Sequence, residues 1–282
     1  MTIKAENAVI RPITSFLFKG HNGTGKTIAA CGSQFRPVYI FNCEGRIESV
    51  LNYYKNRPEG LKGIEYDNFP IGSGYYSIDK KMDELVARCE YRTVLMSSLT
   101  SFIYLILEHL IRDKFGKKTA KGFDAGKKIG GIPVNELQDF NAEDSAIIND
   151  LIAAFQQLKA NGVNTILEAH ITPYEVNYLE EGQRTSVTIN NILTKGKKAP
   201  ASVPGFFNEI YLFTKEHPGF GKPPRYLVNT SGTATDDCKT SWGIQGFDWT
   251  NQDFSELVMN QLTNEIKDTP REDPDKPKSV RF

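Results

Sequence analysis

The sequence predicts an α/β fold built on a largely parallel sheet. Three observations predict it: apolar runs of strand length alternate with longer stretches at helical spacing, the first run leads directly into a glycine-rich turn, and no internal repeat argues for another class. Residues 15–18 (Ser-Phe-Leu-Phe) read as the first strand, and 27–34 as the start of the helix after it. Residues 37–41 form a second strand and 92–96 a third, followed by a helical run over 101–114. Ile148, Leu151, Ile152, Phe155 and Leu158 share one helical face within 147–160. Residues 164–167 read as a fourth strand, and 209–213 and 225–228 as later strands of the antiparallel kind. Two stretches, 114–139 and 172–205, fit neither period and read as long loops. A single domain over 1–265 is expected, with 266–282 as a disordered tail in which Pro270, Pro274 and Pro277 sit among charged residues.

Composition bounds the function. The 282 residues carry 34 Lys+Arg against 34 Asp+Glu, a formal net charge of +0, with 39% hydrophobic residues. This excludes a disordered, collagen-like or disulfide-scaffold chain and an overall basic nucleic-acid binder, though not a basic patch. The four cysteines form no CxxC pair, which fits a reducing compartment. Residues 1–12 lack an apolar signal core, and the longest apolar stretch, 101–111, contains Glu108 and His109. A cytoplasmic protein with no membrane partner is expected.

The chemistry concentrates in Gly20-His21-Asn22-Gly23-Thr24-Gly25-Lys26-Thr27, which matches the phosphate-binding pattern GxxxxGK[ST]. Glycines let the backbone curl so that successive N–H groups face one anion, and the following helix adds its positive end. Lys26 would reach the β- and γ-phosphates, and the Thr27 hydroxyl would bind Mg²⁺. The motif follows an apolar strand and opens a helix, as this mechanism requires.

On these motifs the chain resembles the RecA-like P-loop ATPase core, in particular the phage nucleotide-binding proteins of the Sak-type single-strand annealing group. The resemblance spans residues 15–242. It implies a mostly parallel twisted sheet flanked by helices, with antiparallel additions near the C-terminus. It implies ATP and Mg²⁺ as cofactors, and Glu44, just past the second strand, as the base that polarises the attacking water. His170, closing the fourth strand, takes the position of a γ-phosphate sensor. One departure is plain. Ser97 stands where the family carries the aspartate that holds Mg²⁺ through water, and a serine brings no negative charge. Glu168 and Glu44 are the carboxylates near enough in the strand order to substitute, and slow hydrolysis is expected. Lys239, and after it Arg225, are candidates for a basic residue reaching the γ-phosphate of a neighbouring subunit.

The two long loops occupy the family's DNA-loop positions. The first carries Lys117, Lys118, Lys121, Lys127 and Lys128 with Phe123 interleaved, and the second Arg184, Lys195, Lys197 and Lys198 with no acid over 184–200. Locally cationic loops suit a phosphate backbone, and Tyr174, Tyr178 and Phe123 suit base stacking. The partners implied are single-stranded DNA, a single-strand-binding protein, and further copies of the chain in a ring or filament with ATP between subunits. Four readings follow: an annealing or recombination ATPase, a helicase loader or motor, an ATP-gated DNA-binding protein with little hydrolysis, and a small-molecule kinase for which no lid is identifiable.

Overall fold

The computed structural model describes residues 14–58, 60–69, 75–115, 128–129, 132–133, 141–180, 183–194, 202–233 and 235–268. β1 (Ser15–Gly20) passes through the glycine-rich turn into α1 (Lys26–Ala30). β2 (Val38–Asn42), α2 (Glu48–Lys55), β3 (Ile64–Asn68), α3 (Tyr75–Ala87), β4 (Thr93–Ser97) and α4 (Leu99–Phe115) follow. After the short β5 (Lys128–Ile129) and β6 (Ile132–Pro133) come α5 (Asn141–Ala160), β7 (Asn164–Ala169), β8 (Ile171–Glu180) and β9 (Gln183–Ile192). β10 (Glu209–Glu216), β11 (Arg225–Asn229), β12 (Phe247–Asp248) and α6 (Phe254–Asp268) complete the order.

Eight strands form one sheet in the order β12-β11-β10-β1-β7-β4-β2-β3. From β10 across to β3 in this order the strands run parallel, so 209–213, expected with the antiparallel strands, lies in the parallel set beside β1, while β11 and β12 are the antiparallel additions. The expected fold class is therefore observed. β1, β2, β4 and β7 are buried at every position, which is why they read as unbroken apolar runs. The alternation of side chains across the pleat sends Leu17 to the face covered by α3, α4 and α5, and Phe16 and Phe18 to the face covered by α1, α2 and α6. On the second face Phe16, Phe18, Phe35, Tyr211, Phe213 and Phe254 pack ring against ring, with centroids 4.8–6.4 Å apart. Each such ring contributes roughly 1.5–3 kcal/mol by burial.

The strand order places β7 between the glycine-turn strand β1 and β4, so the carboxyl ends of β1, β7, β4 and β2 meet along one edge. That is where ligands bind in open parallel sheets. α6 is tied beneath this edge: Asp253 accepts hydrogen bonds from Ser255 N–H (2.8 Å) and Ser33 N–H (2.7 Å), and Ser255 Oγ accepts one from Gln34 N–H (2.8 Å).

The structure corrects several element expectations. Residues 172–205 are not one long loop. Most of them form an antiparallel ribbon, β8 paired with β9 from Ile171 opposite Ile192 to Glu180 opposite Gln183. Standing outside the main sheet, the ribbon leaves Tyr174, Glu175, Ser186 and Thr188 exposed; Tyr174, Val176 and Tyr178 alternate with Glu175 and Asn177, and Val187 and Ile189 flank Thr188, a period-two signal that the loop reading passed over. β3, whose sequence Ile-Glu-Tyr-Asp-Asn is polar because it lies at the sheet edge, was not expected, nor were α2, α3 and α6. The helix expected over 27–34 is shorter: α1 stops at Ala30, and a 3₁₀ turn over Ser33–Phe35 follows. α6 runs to Asp268, and 269–282 lie outside the described residues.

Candidate nucleotide site

The glycine-rich turn at the end of β1 is shaped by what surrounds it. A Cβ on Gly20 would sit 2.5 Å from the Phe213 carbonyl oxygen. One on Gly25, whose φ is +88°, would sit 2.7 Å from the Trp249 ring. Thr24 is buried and donates to the His21 carbonyl (2.9 Å), while the His21 side chain faces solvent as expected. Lys26 is 5% exposed, and its ammonium donates to the Gly20 and His21 carbonyls at 2.9 Å each. Burial lowers its pKa, opposed by the charges of Glu168 and Glu44.

Two carboxylates face this turn in different states. Glu168 ends β7 at 2% exposure. Its Oε2 accepts hydrogen bonds from Thr27 Oγ1 and Ser97 Oγ, both at 3.0 Å. Its Oε1 is buried with no hydrogen-bond partner among the described residues. Burial pushes its carboxyl up to about 7, against the pull of Lys26. Glu44, in the turn after β2, accepts from Ser98 Oγ (2.6 Å) and pairs with His170 Nε2 (2.7 Å). Burial opposes its charge, but the His170 and Ser98 hydrogen bonds and the nearby His170 and Lys26 prevail and hold it down at about 2. His170 leads straight into the β8–β9 ribbon. Its N–H donates to Thr100 Oγ1 (3.3 Å), its carbonyl accepts from Leu193 N–H (2.6 Å), and Thr100 Oγ1 donates to the Leu193 carbonyl (3.1 Å).

Lys26, Thr27, Glu44, Glu168 and His170 line an open cleft of about 450 Å³, together with Asn22, Gly23, Arg46, Tyr53, Lys215, Tyr226, Trp249 and Asn251. The aromatic and basic members of this second set were not singled out as ligand-facing in the sequence. They come from the turn after β2, α2, β10, β11 and the turn after β12, and no short motif joins them. The fold brings together Gly20 to Thr27, Glu44, Ser97, Glu168 and His170. It does not bring Arg225 or Lys239 to the cleft of their own chain. Arg225 is ion-paired with Asp248 (2.8 Å). Lys239 pairs by backbone with Ile210, whose neighbour on β1 is Leu17, three residues before Gly20. Lys117, Lys118, Lys121, Lys127, Lys195, Lys197 and Lys198 lie outside the described residues; Lys128 falls in β5 and Arg184 in β9.

The oxygen set at Glu168 fits Mg²⁺. One carboxylate with an unpartnered buried oxygen, flanked by the Thr27 and Ser97 hydroxyls, is a hard-donor set of the kind that binds this ion while leaving several of its waters in place. Among the described residues, no group of three or more His, Cys, Asp or Glu side chains offers an alternative centre, and no helix is long and apolar enough to cross a membrane.

No family model and no curated protein matches the chain. Among solved structures it is similar to the flagellar accessory protein FlaH from Methanocaldococcus jannaschii, at 10% identity and a TM-score of 0.39, over 77% of this chain and 76% of that one. It is also similar to the KaiC-like protein PH0186 from Pyrococcus horikoshii OT3, at 12% identity and a TM-score of 0.42, over 83% of this chain and 84% of that one. Neither likeness is close enough to assign an activity.

Proposed function

We propose that this chain binds ATP with Mg²⁺ in the cleft, hydrolyses it slowly, and uses nucleotide state to set the posture of the β8–β9 ribbon, through which it engages single-stranded DNA and promotes annealing. The observation that carries this reading is that Glu44, which faces the glycine-rich turn across the cleft, is hydrogen-bonded to His170, whose backbone is in turn tied to the ribbon root at Thr100 and Leu193.

The turn amides would take the phosphates, and Lys26 would exchange two carbonyl acceptors for phosphate oxygens. Thr27, Ser97 and Glu168 would hold Mg²⁺, which when bound neutralises charge on the phosphoryl oxygens. In strand register Met96 of β4 lies beside Leu167 of β7, so the next residues, Ser97 and Glu168, end neighbouring strands. A carboxylate supplied from β7 would thus serve where the family aspartate on β4 is missing. Glu44 orients the attacking water. A carboxylate held near 2 is a weak base at neutral pH, so orientation rather than proton removal is its contribution, and this favours slow turnover. His170, held by Glu44, is placed to register whether the γ-phosphate is present and to pass its shift into the ribbon.

DNA engagement is supported by the cationic runs over 112–131 and 184–200 and by the exposed Tyr174 on the ribbon. Fluorescence anisotropy of a single-stranded oligonucleotide tests it, with no nucleotide, ADP, or a non-hydrolysable ATP analogue plus Mg²⁺. Tightening with the analogue and weakening with salt are expected. Equal affinity in all three states would overturn the coupling, and no binding would overturn the DNA reading.

A further inference from the structure

The hairpin between β10 and β11 ends in a side chain that nothing among the described residues covers. Phe220 is fully exposed, at 109% of its reference area, between Gly219 (φ +133°) and Gly221 (φ +75°). A Cβ at either glycine would meet nothing within 4 Å, so the tip stands free in solvent. Its surroundings are basic: Lys215, His217 and Lys222 are exposed beside it, against one acid, Glu216. Arg225 is occupied by Asp248.

The helix-covered face over β4 and β7 carries a matching recess. Between α3, α4 and α5 lies a groove of about 260 Å³ with Met82, Phe102 and Leu151 in its floor. Its rim is acidic, with Asp79 and Asp83 on α3 and Asp150 on α5 all exposed. The groove opens because Ala153 and Ala154 leave α5 thin at this level.

We propose that the β10–β11 hairpin tip of one copy docks in the α3–α5 groove of a second copy, Phe220 filling the apolar floor and Lys222 meeting the acidic rim. Charge decides the occupant. The three rim aspartates repel a phosphate backbone and attract the basic tip. Knob and groove are separate surfaces: the tip extends from β10 and β11 near one edge of the sheet order, and the groove lies among α3, α4 and α5 on the face over β4 and β7. The contact is therefore heterologous, and repeats into a ring or filament rather than closing as a symmetric dimer. Because Lys215 and Tyr226 flank the tip and also line the nucleotide cleft, each junction falls beside a nucleotide site. Burying one phenylalanine covers roughly 150–250 Å², far less than the roughly 1,200 Å² of a stable interface, so the association depends on concentration.

Sedimentation velocity on the full chain over a concentration series tests this, with circular dichroism confirming that each surface variant is folded. The wild type is expected to exceed its 31.7 kDa monomer mass progressively. Phe220→Ser is expected to weaken self-association roughly thirtyfold, the loss typical of a central aromatic anchor, and the double change Asp83→Lys with Asp150→Lys to weaken it similarly. A mixture of the two variants restores one junction only, and is expected to stop at dimers. A monomeric wild type at every concentration would overturn the proposal, as would variants with unchanged mass. If Phe220→Ser left the mass unchanged but abolished oligonucleotide binding, the tip would serve nucleic acid and the self-docking would be refuted.

Discussion

Glu168 and Glu44 share one cleft yet carry opposite electrostatic signatures, and the cause is local. Glu168 is shut in β7 with two hydroxyls and one oxygen left unpartnered among the described residues, while Glu44 has two strong hydrogen bonds. If Glu168 replaces the missing β4 carboxylate, Glu168→Gln should lower Mg²⁺-dependent affinity for an ATP analogue at least tenfold. The exchange Ser97→Asp with Glu168→Ser should then restore much of it, as read by calorimetry. Failure of the exchange would place the ion elsewhere. Glu44→Gln, which keeps an acceptor oxygen but loses the charge and its pairing with His170, should slow hydrolysis with little change in nucleotide affinity, as phosphate release and calorimetry measure. Glu44 also makes stability depend on pH. Its ordinary 4.5 falls to about 2 in the folded chain, so its stabilisation is full above about pH 4.5 and is lost as pH falls toward 2. In thermal melts, Glu44→Gln should flatten that acid limb. At this scale the glycine-rich turn was legible because its chemistry lies within eight consecutive residues. Glu44 and His170 became legible only through a family resemblance. The donation of the Ser97 and Thr27 hydroxyls to Glu168 was not legible, because it requires knowing that β4, β7 and β1 are neighbours.

Among the elements, the β8–β9 ribbon is the main surprise. Its alternation is short, Tyr174 and Val176 standing opposite Ile189 and Val187, and Pro173 near its start reads as a loop signal. Its root is fixed by side chains distant in sequence: Thr100 bridges His170 and Leu193, and Asn190 bonds Thr235 and Asp236. Thr100→Val removes that bridge at nearly constant volume. The expected result is unchanged nucleotide affinity but loss of the nucleotide effect on oligonucleotide binding, measured by anisotropy. A coupling as strong as in the wild type would mean the ribbon is not the relay. The cap of α6 makes a separate prediction. Asp253→Ala removes acceptors used by Ser33 and Ser255 and should cost about 0.5–2 kcal/mol, or a few degrees in melting temperature for a chain of this size.

At the scale of the whole molecule, the sheet order explains why one edge gathers the chemistry. β1, β7, β4 and β2 are adjacent in space though separated in sequence, and their carboxyl ends deliver the glycine-rich turn, Glu168, Ser97 and Glu44 to one cleft. The central strands could be read from sequence because both their faces are buried. The edge strand β3 and the helices beside it could not, since half-exposed elements carry a weaker pattern. Electrostatics also belong to this scale. A net charge of +0 gives no global attraction to nucleic acid, so any DNA affinity must come from local runs of bases and should fall steeply with salt.

The central claim is that the cleft is a Mg²⁺-dependent ATP site. Calorimetric titration of a non-hydrolysable ATP analogue, with Mg²⁺ and with chelator, on the wild type and on Lys26→Ala, tests it most directly. The account predicts saturable binding by the wild type with Mg²⁺, weakened at least tenfold by the chelator and by Lys26→Ala. Affinity indifferent to both, or no binding by the wild type, would contradict it.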